Sequence, residues 1–365
     1  MNSNIDEEKI LKQYYNRYGG FWVYPDMLDY CYLVNPYFNR SKIIDELEAN
    51  FRTLVSEYPA GMNVNSMLAS ECWNVKQEYI IPGNGAAELI KVLMENLEGT
   101  VGVVRPTFEE YPNRMLDERV VTFVPQNEEF RYDADDLIAF FGTHRVDTLL
   151  LINPDNPSGN FIPMDGILKL AEWTKAEGIK FIVDESFVDF SVGYENNTCL
   201  HNELLEAYPQ MCVMKSISKS YGVPGLRLGI LCSANTELIA KMKKQVSIWN
   251  INSFAEFFMQ IYPKYKDDYR SACDQFIQAR EDFEKELKEI PFIKVMPSQA
   301  NYFFLEVLPP YKPKELCAIL LRDYNILASA CLAKKGIEKN RYMRIAVRNH
   351  GDNEKFVKAM KSLVK

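Results

Sequence analysis

Short runs of Val, Ile and Leu alternate with stretches of helical spacing through much of the chain, and this alternation constrains the fold more than any other feature. The runs fall at 101–104, 120–124, 148–152, 180–183, 211–214 and 228–232, and helical stretches fall between them at 86–97, 134–141, 164–177 and 236–245. Strands that alternate with helices build βαβ units and an α/β fold with a mainly parallel sheet. The runs at 148–152 and 181–183 are apolar throughout, as expected of central strands covered on both faces. After about residue 261 the texture changes: a charged amphipathic stretch, 267–289, leads to strand-like segments at 293–295 and 301–307. A helix at 313–323, a strand at 341–347 and a last helix at 353–364 complete a smaller α+β unit.

A chain of 365 residues is too long for one small core. The expected division is an N-terminal arm contributing to the small domain (1–45), a large domain (46–262) and a C-terminal small domain (263–365). No long Gly/Ser linker separates them, so they should pack closely around a cleft.

The formal net charge of −8 leaves no footprint for nucleic acid or an anionic membrane. Eight cysteines occur without a CxxC pair and three histidines lie far apart, so no metal-ligand spacing appears and reduced thiols are expected. The first residues are polar and acidic and the longest apolar runs are only strand-sized. Together they point to a soluble, cytoplasmic protein.

Several stretches carry chemistry. Lys219 stands in Ser216-Ile217-Ser218-Lys219, just before a glycine-rich turn that holds Arg227. A nucleophilic amine needs a site that disfavours its charge, and the hydroxyls and guanidinium beside it suit a phosphate. Gly83-Asn84-Gly85-Ala86-Ala87-Glu88 opens a helix, where free N–H groups bind phosphate; with Glu at 88 it is not a dinucleotide fingerprint. Asn156 follows the 148–152 strand, at the end where ligands bind parallel sheets; the same loop also reads as a plain Asn-Pro turn. Asp184 ends the next apolar strand and needs a partner, either a ligand cation or a structural group. Phe108 could stack on a ligand ring or belong to the core. Arg344 and Arg348, at even spacing in a strand-like segment, could grip a carboxylate or phosphate.

In this order the motifs resemble the fold-type-I, pyridoxal-5′-phosphate-dependent aminotransferase superfamily (class I/II), from about residue 28 onward. The likeness is strongest to the branch of histidinol-phosphate aminotransferases and threonine-phosphate decarboxylases. It implies a large domain with a seven-stranded sheet and pyridoxal phosphate as cofactor, bound as a Schiff base by Lys219. It further implies that Asp184 pairs with the ring nitrogen, Asn156 donates to the ring oxygen, and Gly85, Ala86, Ala87, Ser216, Ser218 and Arg227 hold the phosphate. Tyr58 would reach the cofactor of a second subunit in a homodimer with shared sites. Asn35 would close over the substrate, and Arg344 would hold its carboxylate. The chain departs from the pattern twice. Position 187 is Phe where histidinol-phosphate aminotransferases have Tyr, and Ser329 stands where the decarboxylases have an arginine.

The leading expectation is a transaminase for a small phosphorylated or phosphonylated substrate. The alternative is decarboxylation of L-threonine or L-serine O-phosphate. A non-catalytic binding module is a remote third, because Lys219 and Asp184 are both present. Transamination and decarboxylation differ only in which bond at the α-carbon stands perpendicular to the ring, which motifs do not report.

Overall fold

The computed structural model describes residues 9, 11–17, 19–38 and 40–364. Residues 1–8 of the expected arm lie outside the described residues. The chain is an α/β protein. Strand β1 (Leu28–Asp29) lies in the arm, and the large sheet then takes β2 (Ile80–Asn84), β3 (Val101–Val104) and β4 (Val120–Phe123). It continues with β5 (Thr148–Ile152), β6 (Lys180–Asp184), β7 (Met211–Ser216) and β8 (Leu228–Cys232). The seven strands run in the order β2-β8-β7-β6-β5-β3-β4. Only β8 is antiparallel to its neighbours, β2 and β7; the other pairs are parallel.

The apolar strands explain this sheet. Every residue of β5 and β7 is buried, and β6 is buried apart from Lys180 at its start. Successive side chains point to opposite faces. Leu149, Leu151, Phe181 and Val183 therefore join the core on one side, while Leu150, Ile152 and Ile182 join the core on the other. Helices cover both cores, and polar residues are confined to the strand ends.

The remaining strands are β9 (Ile293–Val295), β10 (Tyr302–Val307), β11 (Ile326–Leu327) and β12 (Tyr342–Ala346). Antiparallel β12-β10-β9 forms the second sheet, and β11 pairs in parallel with β1, Leu28 opposite Ile326. The arm is stitched to both: Tyr30 N donates to Leu327 O at 2.7 Å, and its carbonyl accepts from Ala346 N at 2.8 Å. The 22-residue helix Lys266–Leu287 packs Phe276, Phe283 and Leu287 into the core of this unit. Its Arg280 is buried and donates to the carbonyls of Phe190 and Ala300, tying the helix to the segment after β6 and to the segment before β10. Burial pushes this guanidinium down to about 10. Among the described residues no helix is long and apolar enough to cross a membrane, and no cluster of acidic, His and Cys side chains could hold a metal.

Candidate active site

Strands β3, β5, β6 and β7 point their carboxyl ends to the same edge of the sheet, so the residues that follow them converge there. Asp184 is the last residue of β6, paired in register with Ile152 and Met214 on either side. Its carboxylate is buried, which raises its pKa. Four influences oppose that rise: the Ser186 hydroxyl; the Ser186 amide, donating to Oδ1 at 2.9 Å; the Tyr111 hydroxyl, donating to Oδ2 at 2.8 Å; and the charge of Lys219. The carboxylate is thus held in one orientation with lone pairs remaining for a ligand N–H.

From β7 the chain turns into one helical turn, Ile217–Ser220, which carries Lys219. Burial, then the positive charges of Arg344 and Arg227, push the Lys219 amine down to about 8, against the pull of Asp184. An amine so placed is readily uncharged, which a nucleophile requires. Asn35 donates its backbone N–H to Lys219 O at 2.9 Å; its side-chain Oδ1 accepts from Tyr37 N at 2.9 Å, and its buried Nδ2 has no hydrogen-bond partner.

Beside Lys219 lies a phosphate-sized cradle. β8 crosses the start of helix Gly85–Glu95 so closely that a Cβ on Gly229 would lie 2.4 Å from the Ala86 nitrogen. The Arg227 guanidinium lies over Gly85, where a Cβ would come within 2.3 Å of Nη2; Gly85 itself has φ +71°. The buried Ser218 Oγ has no partner. Amides in the first turn of a helix have no partner within it, and an anion completes them. Gly85 departs from expectation, because its N–H donates to Arg227 O at 2.9 Å; among the amides expected to hold phosphate, Ala86 and Ala87 are left. Ser216 sits opposite Gly229 in the β7–β8 register, with its amide donating to Ser186 Oγ at 2.9 Å. An orphaned hydroxyl, a cradle that any Cβ would fill, a depressed amine and an oriented carboxylate fit pyridoxal phosphate.

The substrate side is built by β12. Arg344 Nη1 donates to Asn156 Oδ1 at 2.9 Å, its guanidinium lies 5.6 Å from the Tyr302 ring centre, and its buried Nε is unpartnered. This contact with Asn156 leaves the Asn156 amide nitrogen as donor toward a ring oxygen. Phe187 is buried edge-on against Tyr302, with ring centres 5.2 Å apart, so position 187 offers no polar atom. Phe108 is half-exposed near Tyr111 at the carboxyl end of β3. Tyr58 is exposed and packs on Trp249 with ring centres 4.4 Å apart.

Arg348 is a correction to the expected substrate contacts. It lies beyond the end of β12, and its guanidinium donates to Asp352 Oδ2 at 2.9 Å and to Asp29 O at 2.9 Å. It fastens the arm to the last helix. Two features escaped sequence reasoning. Tyr111, three residues after Phe108, carried no signal that it would meet Asp184, 73 positions away. Lys215, fully enclosed below the site, donates to Asp189 at 2.8 Å and to Glu185 at 3.5 Å. Burial would depress this amine, but the charges of Asp189 and Glu185 outweigh that effect and raise it.

A family model described as aminotransferase class I and II matches residues 53–363. The chain is 30% identical over 359 residues to a CMP-5′-(3-aminopropyl)phosphonate synthase of Streptomyces rubellomurinus, a match that covers 98% of this chain and 56% of that protein. It is 30% identical over 350 residues to an L-serine phosphate decarboxylase of Sulfurospirillum multivorans, covering 93% of this chain and 88% of the relative. A solved decarboxylase structure from Sulfurospirillum multivorans superposes with a TM-score of 0.85 at 30% identity, covering 94% of this chain and 91% of the other.

Proposed function

We propose that this chain, which belongs to the aminotransferase class I and II family, decarboxylates a small α-amino acid bearing a phosphate or phosphonate. Its cofactor is pyridoxal phosphate, and it is an enzyme of the aminotransferase-like superfamily. The observation that carries the reading is the match, over 93% of the chain, to a relative named for the decarboxylation of L-serine phosphate. The phosphonate in the name of the other 30% identical relative supports the same substrate class. The transaminase expectation therefore becomes the second reading, favoured by the family's name and by the absence of a cation at Ser329.

Bound pyridoxal phosphate supplies an aldehyde that condenses with amines and a ring that takes up the electron pair left when a bond at the α-carbon breaks. Asp184 Oδ1 and Oδ2, held by Ser186 and Tyr111, would keep a proton on the ring nitrogen. Lys219 Nζ, close to half-charged near pH 8, would carry a proton to or from the substrate's α-carbon. CO₂ leaves only when the carboxylate bond stands perpendicular to the ring, so the substrate is better anchored by another group. A terminal phosphate is such a group, and the Arg344 fork, steadied by Asn156 and the Tyr302 ring, suits it, in place of the carboxylate that the resemblance gives this arginine. The carboxylate departs as CO₂, one proton is added at the α-carbon, and an aminoalkyl phosphate results.

Holoenzyme incubated with O-phospho-L-serine should release CO₂ at catalytic turnover without any ketoacid present. Amino transfer to a ketoacid in place of CO₂ release would establish the transaminase reading instead.

A further inference from the structure

The chain lacks a cation at Ser329, which pairs with Arg344 through two backbone hydrogen bonds, Arg344 N to Ser329 O at 2.8 Å and Ser329 N to Arg344 O at 3.3 Å. Five residues later the backbone has turned back toward the cleft. Gly336, at φ +83°, lies so close to the segment after β3 that a Cβ there would be 2.7 Å from Arg105 Cβ. This packing lays the loop across the carboxyl end of β3, and Lys334 Nζ donates to Thr107 O.

Lys334 is half-buried, and burial followed by the charge of Arg344 lowers its pKa. Arg344 also depresses Lys219, so the charge of this one guanidinium is felt by both amines. The charged and titratable groups whose influence reaches Lys334 are Arg344, Cys331, Glu109 and Asp155. Glu109 pairs instead with Arg105 at 3.2 Å, and Asp155 is enclosed, accepting from Ser158 and the Asn156 amide. Among the described residues, neither Lys334 nor Arg344 has a carboxylate within ion-pair distance, though each is bonded to a segment that follows a strand at the carboxyl edge of the sheet, Thr107 after β3 and Asn156 after β5. Two adjoining cations without a counter-charge are costly to keep out of water, and a dianionic ligand offsets that cost.

We propose that Lys334 is the phosphate-recognising residue of the substrate site, its ammonium and the Arg344 guanidinium together taking the substrate's terminal phosphate or phosphonate. The inference rests on the phosphorylated-substrate reading above and names the side chain that enforces it.

Binding of inorganic phosphate to the holoenzyme, whose cofactor cradle is already filled, separates this subsite from the reaction. Titration calorimetry should find phosphate binding in the wild type, weakened on the order of tenfold to a hundredfold in Lys334→Met and largely kept in Lys334→Arg. With O-phospho-L-serine, Lys334→Met should raise KM by a similar factor and change kcat far less, while any slow reaction with unphosphorylated L-serine stays the same. Wild-type holoenzyme that binds no phosphate, or Lys334→Met that binds it as the wild type does, overturns the assignment. So does an equal fall with both amino acids, the mark of a merely structural lysine. Lys334-dependent phosphate binding without any CO₂ release would leave the subsite standing and remove only the decarboxylase reading.

Discussion

The Tyr111 hydroxyl donates to Asp184 Oδ2 at 2.8 Å inside a fully enclosed pocket, and that contact joins the segment after β3 to the end of β6. Tyr111→Phe leaves an acceptor without its donor and removes one of the influences that restrain the rise in the Asp184 pKa. A buried acceptor left unsatisfied costs about 1–3 kcal/mol. Asp184 should then hold a ring-nitrogen proton less well, and the variant should lose pyridoxal phosphate faster on dialysis, followed by the cofactor's absorbance. Retention equal to the wild type would mean that Tyr111 only packs.

Lys219 titrates near pH 8 in the folded chain, against an ordinary value of 10.5. Its uncharged fraction grows as pH rises, so uptake of pyridoxal phosphate by cofactor-free protein should accelerate through about pH 8 and then level off. Arg344→Gln removes the largest charge effect on this amine and should move the midpoint upward. Stopped-flow absorbance across the pH range reads both. The stability of cofactor-free protein follows the same sign. Between about 8 and 10.5 the unfolded chain holds more of a proton on Lys219 than the folded one, so this residue's contribution grows more favourable as pH rises through that window.

Gly229→Ala should damage the cofactor site from behind. Its Cβ would meet the backbone nitrogen of Ala86 at 2.4 Å, and backbone cannot swing aside as a flexible side chain can. Overpacking of this kind costs about 1–3 kcal/mol. The amides of Ala86 and Ala87 would be displaced with the helix start, so the dissociation constant for pyridoxal phosphate should rise more than the urea midpoint falls. An unchanged dissociation constant would count against the cradle.

Lys215→Met would strand Asp189 and Glu185 in the interior. Removing one partner of a buried ion group costs about 3–5 kcal/mol. Urea unfolding of the variant should show a loss of that size. Replacing Asp189 by Asn in the same chain should recover part of it, because one stranded charge is then gone. A loss no larger than that of an exposed lysine would show that the trio is not coupled.

The sheet was legible because β5, β6 and β7 are apolar without interruption, and Asp184, Asn156 and Lys219 were legible because each lies at or just past the end of such a strand. β2 was not among the legible runs: only Ile80 and Ile81 are apolar and β-branched, and the strand continues through Pro82 and Gly83 to Asn84. Pro and Gly hide a strand from pattern reading, and the β8 ladder restores it here. Arg348 misled because alternation in sequence predicts a shared face only while the strand lasts, and β12 ends at Ala346. Tyr111, Lys215 and Lys334 were silent for one common reason. Their partners lie far off in sequence, and only the folded sheet brings Asp184, Asp189 and Thr107 to them.

The arm threads through three bodies in a few residues. Leu28 and Asp29 belong to the β11 ladder, Asn35 is hydrogen-bonded above Lys219, and the chain then enters the helix Arg40–Ser56, whose Leu47 packs against the large core. A tether this short has no slack. Any shift of the β1–β11 pair relative to the large sheet would therefore be transmitted along this segment to the hydrogen bond between Asn35 N and the carbonyl of the residue that carries the reactive amine.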